Sequence, residues 1–407
     1  MKILWLSHFI PYPPKGGNLQ RTHHLLREAA RRHEVHLVAL NQARRLRMSG
    51  SSVDEAVRAL SAFCRSVTVL PMPSQSSRPR RWWTMLASAA STTPYDVRWL
   101  RSREFADHVR SVGAQEHFDL VHMDTIGLAP HRRALTALPI VLNHHNVESD
   151  MLAQRASAVR SRLQRFYLSR EAHKLARYER RVCPDCAMNL VVSSLDATRL
   201  QTVAGACPTA VVENGTDTDY FLPHKPLGHG DGGIIFTGRM NWYPNLIAAR
   251  LLLRDIWPAL AEQRPDRRLM IVGGGAPPEL HAAAASDPRI RVTGFVEDIR
   301  PYLDDASIYV CPINDGGGTR LKIVDALAMA KPLVATRFAV EGLGLVEDQH
   351  FLRAETADEF VARVRQLEDD PALRGRLARA GREVIEARFS WQHVGANLES
   401  AYQAARR

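Results

Sequence analysis

Short apolar runs alternate with amphipathic stretches along most of the chain. Residues 3–7 read as a buried-type strand, followed by a loop holding Pro11, Pro13, Pro14, Gly16 and Gly17 and then an amphipathic helix over 18–32. A second strand over 34–40 follows at once, and strand, helix, strand in this order is a right-handed parallel unit. Further strands are expected at 66–70, 120–123, 140–143 and 189–193, and the most helical stretch, 150–182, is crowded with arginine and expected to present a solvated face. Residues 214–233 are rich in Gly, Pro and Asp and read as linker. The pattern then restarts, with strands at 234–237, 268–273, 290–293, 308–312 and 332–336 and helices at 245–260, 278–285 and 320–330. The expected architecture is α/β: two Rossmann-like, doubly wound domains facing across a cleft. The first takes residues 1–205, a linker 206–233, the second domain 234–388, and a C-terminal helix over 389–407 crosses back to the first. Ligands of such sheets bind beyond the carboxyl ends of the strands.

Length and charge sharpen this picture. The chain has 407 residues, the size of two domains, with 45% hydrophobic and 24% charged residues, a composition neither disordered nor membrane-spanning. Its net charge of +11 is lopsided: residues 1–205 hold 30 basic and 16 acidic side chains, the remainder 24 and 27. An anionic partner is therefore expected at the first half only. Five scattered cysteines give no disulfide framework and suit a reducing, cytoplasmic setting. The opening apolar run is broken by His8, Pro11, Pro13 and Pro14, so secretion is not expected, and any membrane contact is expected to be peripheral, on the inner face.

Several strings tempt and fail. Residues 228–233 match GxGxxG but precede a strand, so their amides cannot open a helix under a pyrophosphate. Asp217 and Asp219 read as turn chemistry, and Cys183 with Cys186 as a packed helix end, since structural zinc needs about four ligands. Residues 78–83, Arg-Pro-Arg-Arg-Trp-Trp, followed by Met85, Leu86 and Ala89, fit either a helix lying on anionic lipid or an ordinary packed helix. No groove-reading or single-strand signature accompanies the charge, so no nucleic-acid partner is expected.

The strongest string runs from Gly316, Gly317 and Gly318 through Thr319, Arg320 and Lys322 to Asp325. A strand entering three glycines and then a helix aims free amides at an anion. Lys322 and Asp325 share a helix face, so one reaches a phosphate while the other accepts from a ribose. The plainer reading is a glycine turn with a surface ion pair.

The chain resembles retaining glycosyltransferases of the GT-B fold, family 4 or "glycosyl transferases group 1", and among them the sugar transferases of bacterial exopolysaccharide clusters. The likeness is carried by residues 13–17, 145–148, 191–193, 213–215, 217–221, 237–239, 271–273, 294–296 and 316–336. It implies that Asp325 holds the donor ribose, as the second acid of the family's Glu-x7-Glu element. The first acid falls at Gly317, which leaves the donor sugar to the amides of Gly316, Gly317, Gly318 and Thr319. Arg239, beside Gly238, matches the arginine that neutralises the diphosphate, but the lysine expected about six residues later is Asn245. Lys322, with Arg320 as a second candidate, is therefore expected to supply the missing charge. Gly16 and Gly17 match a loop that approaches the diphosphate or acceptor, and Phe295 and Val296 offer backbone contacts to the base. His145 matches the histidine beside the transferred sugar, with His144 as its competitor.

What the resemblance implies is a glycosyltransferase moving a sugar from a nucleoside diphosphate sugar to a hydroxyl acceptor, lipid-linked or polysaccharide, with retention, no metal and no cofactor. A nucleotide-sugar epimerase of the same fold, or a non-catalytic sugar-binding member, remains the alternative.

Overall fold

The computed structural model describes residues 1–14, 17–42, 46, 50–75, 83–85, 87–88, 90–135, 138–159, 161–226, 233–316 and 320–406. Seven parallel strands make the first sheet: β1 (Lys2–Ser7), β2 (Glu34–Asn41), β3 (Ser66–Pro71), β4 (Leu120–Met123), β5 (Ile140–Asn143), β6 (Met188–Val191) and β7 (Thr209–Val211), in the order β3-β2-β1-β4-β5-β6-β7. Ile3 lies opposite Val35 on one side and Leu120 on the other. Every residue from Ile3 to Leu6 is fully buried, as expected of a parallel sheet covered on both faces. The helix Gly17–Ala30 covers it by burying Leu19, Thr22, Leu25, Leu26 and Ala29, an i, i+3, i+4 stripe.

The second sheet, also parallel, runs β10-β9-β8-β11-β12-β13 with β8 (Gly233–Thr237), β9 (Arg268–Val272), β10 (Ile290–Val292), β11 (Ile308–Cys311), β12 (Leu333–Ala335) and β13 (Leu352–Arg353). The chain divides into two compact units, one of Met1–Glu213 with Val394–Arg407, the other of Asn214–His393. The last helix, Trp391–Ala405, belongs with the first unit from Val394 onward, where Tyr402 is fully buried and its hydroxyl lies 2.9 Å from Nδ1 of His122.

Three sequence expectations need correction. Residues 206–233 are not all linker, because β7 pairs with β6; with Pro208 just before it and Asn214-Gly215 soon after, this short strand reads as loop. The stretch 150–182 is two helices, Glu148–Ala158 and Arg162–Val182, separated where the Ser161 side chain caps the second by accepting from the Gln164 amide. Its face is not simply solvated, since Glu171, Lys174 and Glu179 are buried. The GxGxxG string lies outside the described residues except for Gly233, which opens β8.

Candidate functional site

Each sheet has one place where the chain reverses direction across it, between β8 and β11 in the second unit and between β1 and β4 in the first. Such switch points leave a crevice at the carboxyl ends of the strands. Polar groups collect at both.

In the second unit β8 runs into Gly238, and the helix Leu321–Ala328 follows the loop after β11. Lys322 on that helix donates to Oδ1 of Asn245, while the Asn245 amide nitrogen donates to the Arg239 carbonyl at 2.9 Å. The Lys322 ammonium also lies 4.9 Å from the centre of the buried Phe236 ring, within cation–π range. Burial pushes its pKa down to about 8. Gly238 has a φ of 155°, and a Cβ there would sit 2.6 Å from Nδ2 of Asn245 and 2.7 Å from Nζ of Lys322. Only glycine lets these two side chains meet against the backbone. Gly273, after β9, presses in from the other side, where a Cβ would fall 2.0 Å from the Gly238 carbonyl oxygen.

Asp325, one turn beyond Lys322, accepts from the Thr216 hydroxyl at 2.7 Å, and burial pushes its carboxyl up to about 7. Arg320 donates to the Gly316 carbonyl at 2.6 Å and covers the Phe338 ring. Gly316 accepts no Cβ without meeting Cγ of Pro244 at 2.8 Å, so its loop lies against the start of the helix Tyr243–Leu251. Arg239 is exposed, and among the described residues its guanidinium has no hydrogen bond or ion pair. The structure thus brings together Gly238, Lys322, Gly316, Arg320 and Asp325. Phe295, 72% exposed, lies farther along the same strand ends, beside Gly274, while Val296 packs partly into the core. Gly16, Gly317, Gly318 and Thr319 lie outside the described residues.

In the first unit the hub is Asp124, directly after β4 and fully buried. Its Oδ2 accepts from the Thr22 hydroxyl at 2.7 Å and its Oδ1 from the Asn143 amide at 2.8 Å. His145 Nε2 lies 3.3 Å from Oδ1 and His8 Nδ1 3.9 Å from Oδ2. Burial alone would raise the Asp124 pKa, but His145 and the other nearby imidazoles hold it below the usual carboxylate range. Arg21, buried in the helix face, donates to Oδ1 of Asn143 and to the Glu213 carbonyl, each at 2.9 Å. His144 turns away into the core, with Nε2 3.1 Å from Oδ1 of Asn189 and 3.9 Å from Sγ of Cys183. Burial lowers its pKa to about 4, so it is a neutral core group. Of the two candidates His145 is therefore the one at the strand ends. Gly17, exposed, opens the helix Gly17–Ala30.

His8, Asp124 and His145 place one ligand atom each within 4.8 Å of one another, the one group among the described residues able to hold a metal ion. Cys183 and Cys186 are buried free thiols; burial pushes Cys186 up to about 12 and Cys183 upward as well, so neither is reactive. Asp217 accepts from the amides of Asp219 and Tyr220, a turn and no metal site.

Asp124, Arg21, Asn143 and Thr216 were not legible as site residues. The one signal for Asp124 was its place just past the carboxyl end of a parallel strand, and for Arg21 a cation on the apolar stripe of its helix.

Residues 16–220 match the model of "Glycosyltransferase Family 4", and residues 231–370 that of "Glycosyl transferases group 1". The first match spans half of the chain. The protein belongs to glycosyltransferase family 4. It is 28% identical over 214 residues to a glycogen synthase of Mycobacterium tuberculosis, covering 50% of each chain, and 28% identical over 230 residues to a phosphatidyl-myo-inositol mannosyltransferase of the same species, covering 53% of this chain and 58% of that one. The chain thus spans about half the length of these curated relatives. Among solved structures, Anabaena HepE in complex with UDP matches with a TM-score of 0.66 at 15% identity, covering 99% of this chain and 100% of that one. At that identity the likeness establishes the fold, two doubly wound units of the GT-B kind. No helix among the described residues is long and apolar enough to cross a membrane.

Proposed function

We propose that the protein transfers a sugar from a nucleoside diphosphate sugar to a hydroxyl acceptor, with retention and without a metal. The observation that carries this reading is the ammonium of Lys322, held by Asn245 against Gly238 at the β8/β11 switch point. A nucleoside diphosphate leaving group gathers negative charge as its bond to the sugar breaks, and fixed positive charge at that place stabilises the transition state. Arg239, exposed on the same loop, is the second cation, and Arg320 holds the Gly316 carbonyl. Asp325 receives the ribose hydroxyls, and the family resemblance leaves the donor sugar to the amides of Gly316, Gly317, Gly318 and Thr319. Phe295 and Val296 border the base.

On the first unit His145 donates a hydrogen bond to a hydroxyl of the transferred sugar and Asp124 orients it, while Gly17 and Gly16 leave room for close backbone approach. The donor C–O bond breaks, the acceptor oxygen bonds to the same carbon from the same face, and its proton goes to the leaving phosphate. No carboxylate base is then required. The solved relative holding UDP and the relatives named as mannosyltransferases support a nucleotide-sugar donor. The acceptor is lipid-linked or polysaccharide, of the kind handled on the inner face of a membrane during exopolysaccharide synthesis.

The test is a panel of nucleotide sugars incubated with and without lipid-linked and oligosaccharide acceptors. Nucleoside diphosphate release that depends on acceptor supports transfer. Donor conversion without acceptor makes the protein an epimerase, and donor binding with no turnover makes it a binding protein.

A further inference from the structure

The helix Arg162–Val182 begins outside the fold. From Arg162 to Arg170 it contains no buried residue, and its buried positions start at Glu171. These two exposed turns are not polar. Leu163 is 78% exposed and Phe166 66%, three residues apart and so on one face. Bare apolar side chains grouped on a helix that the core does not use mark a contact surface.

The charge around them is of one sign. Residues 151–170 contain Arg155, Arg160, Arg162, Arg165 and Arg170 and no Asp or Glu. The acids that follow on this helix, Glu171 and Glu179, point inward. Glu171 pairs with Lys174 at 2.6 Å and accepts from the Tyr95 amide, and Glu179 accepts from the Ser149 side chain. The outward face therefore carries arginine without compensation.

A second exposed apolar residue lies on a segment tied to this helix. Trp83 is 70% exposed, and five residues later Ser88 is fully buried. Lys174 donates to the Ser88 carbonyl at 2.8 Å, which ties the segment carrying Trp83 to the middle of this helix. Residues 78–82, with three more arginines, lie outside the described residues; their sequence continues the same sign of charge.

We propose that this face, Leu163, Phe166 and Trp83 set among Arg155, Arg162, Arg165 and Arg170, docks on an anionic lipid surface. Arginine guanidinium groups sit at headgroup phosphates while the leucine and the two rings enter the acyl boundary. A nucleic acid would use the arginines but leave Leu163 bare. The inference does not depend on the transfer reading.

Co-sedimentation of the full chain with phosphatidylglycerol vesicles and with phosphatidylcholine vesicles tests it. Binding is expected on the first and not the second, and is expected to weaken as salt shortens the reach of surface charge. Leu163→Ser with Phe166→Ser is expected to lower the bound fraction about tenfold, and Arg162→Gln with Arg165→Gln to lower it comparably on anionic vesicles. Val346→Ser, removing an apolar residue 51% exposed in the other unit, is expected to change nothing. Circular dichroism on each variant reports that it is folded. Unchanged binding by the folded Leu163/Phe166 variant overturns the proposal, and so does equal binding to neutral vesicles. A concentration-dependent dimer that this variant abolishes, with no vesicle binding by the parent, assigns the face to a second copy and also overturns it. Vesicle binding without acceptor-dependent nucleotide release overturns the transfer reading alone.

Discussion

Lys322 and Asn245, 77 positions apart, meet in one hydrogen bond at the end of β8. Asn245 stands where members of this family are expected to carry a lysine. Here its side chain receives a lysine arriving from another helix. Lys322→Ala is expected to lower kcat about a hundredfold, comparable with Arg239→Ala, because each removes a cation from the developing diphosphate charge. Asn245→Ala keeps the charge and loses only its placement, for a loss of about tenfold. Steady-state kinetics on the three variants checks this, and an unchanged kcat in Lys322→Ala removes the lysine from the mechanism.

The same site sets a pH window. The Asp325 carboxyl is raised to about 7 and the Lys322 ammonium lowered to about 8, both by burial. Ribose hydroxyls need the ionised carboxylate and the diphosphate needs the ammonium, so kcat/KM is expected to fall below about pH 7 and again above about pH 8. Because kcat/KM reports the free enzyme, these are the relevant groups. Asp325→Asn keeps an oxygen for Thr216, so it is expected to fold, to raise the donor KM and to flatten the acid limb while leaving the alkaline limb in place.

His144 and His145 separate cleanly by experiment. His145→Ala is expected to lower kcat about a hundredfold with little change in Tm. His144→Ala takes the partner from Oδ1 of Asn189, whose Nδ2 still donates to the Cys183 and Pro208 carbonyls, and is expected to cost about 1–3 kcal/mol of stability, with turnover per folded molecule preserved. Thermal melts run beside the kinetics distinguish them. The opposite pattern would move the sugar contact to His144.

Metal removal gives a further check. The lone pairs of Asp124 already receive Thr22 and Asn143 and face two imidazoles, so a chelator is expected to leave turnover unchanged. Activity lost to chelation and restored by zinc would instead make His8, Asp124 and His145 a metal site.

Gly273→Ala tests the backbone beneath the donor site. With a φ of 139° and a Cβ 2.0 Å from the Gly238 carbonyl, the substitution is expected to cost about 3 kcal/mol or more, read from urea unfolding. The strain would fall on Gly238 and so on Lys322.

What the sequence made legible was local. β4 and β5 stand where short, mostly apolar runs put them, with His122 inside the first and Asn143 closing the second, and β11 and the helix of Lys322 lie on either side of the glycines as expected. β7 was hidden between Pro208 and the Asn214-Gly215 pair, inside the stretch read as linker, and β13 is only two residues long. The pairing of Lys322 with Asn245 was half legible: the missing lysine could be seen, and a substitute expected, but the contact joins two separate crossovers. The Asp124 hub was not legible at all. Arg21 looks like any helix cation until the fold buries it between Asn143 and the Glu213 carbonyl.

The first unit is not one continuous piece of chain. It uses residues 394–405, and the buried pair of His122 and Tyr402 joins segments 280 positions apart. The second unit, from Asn214 to His393, is continuous. During synthesis the earlier-made half therefore waits with the His122 side of its sheet uncovered, and the later-made half is the first to have all its parts. A translation stall before residue 394 therefore leaves the first unit, not the second, without one of its parts: all seven strands of its sheet are made, but the helix that carries Tyr402 is missing.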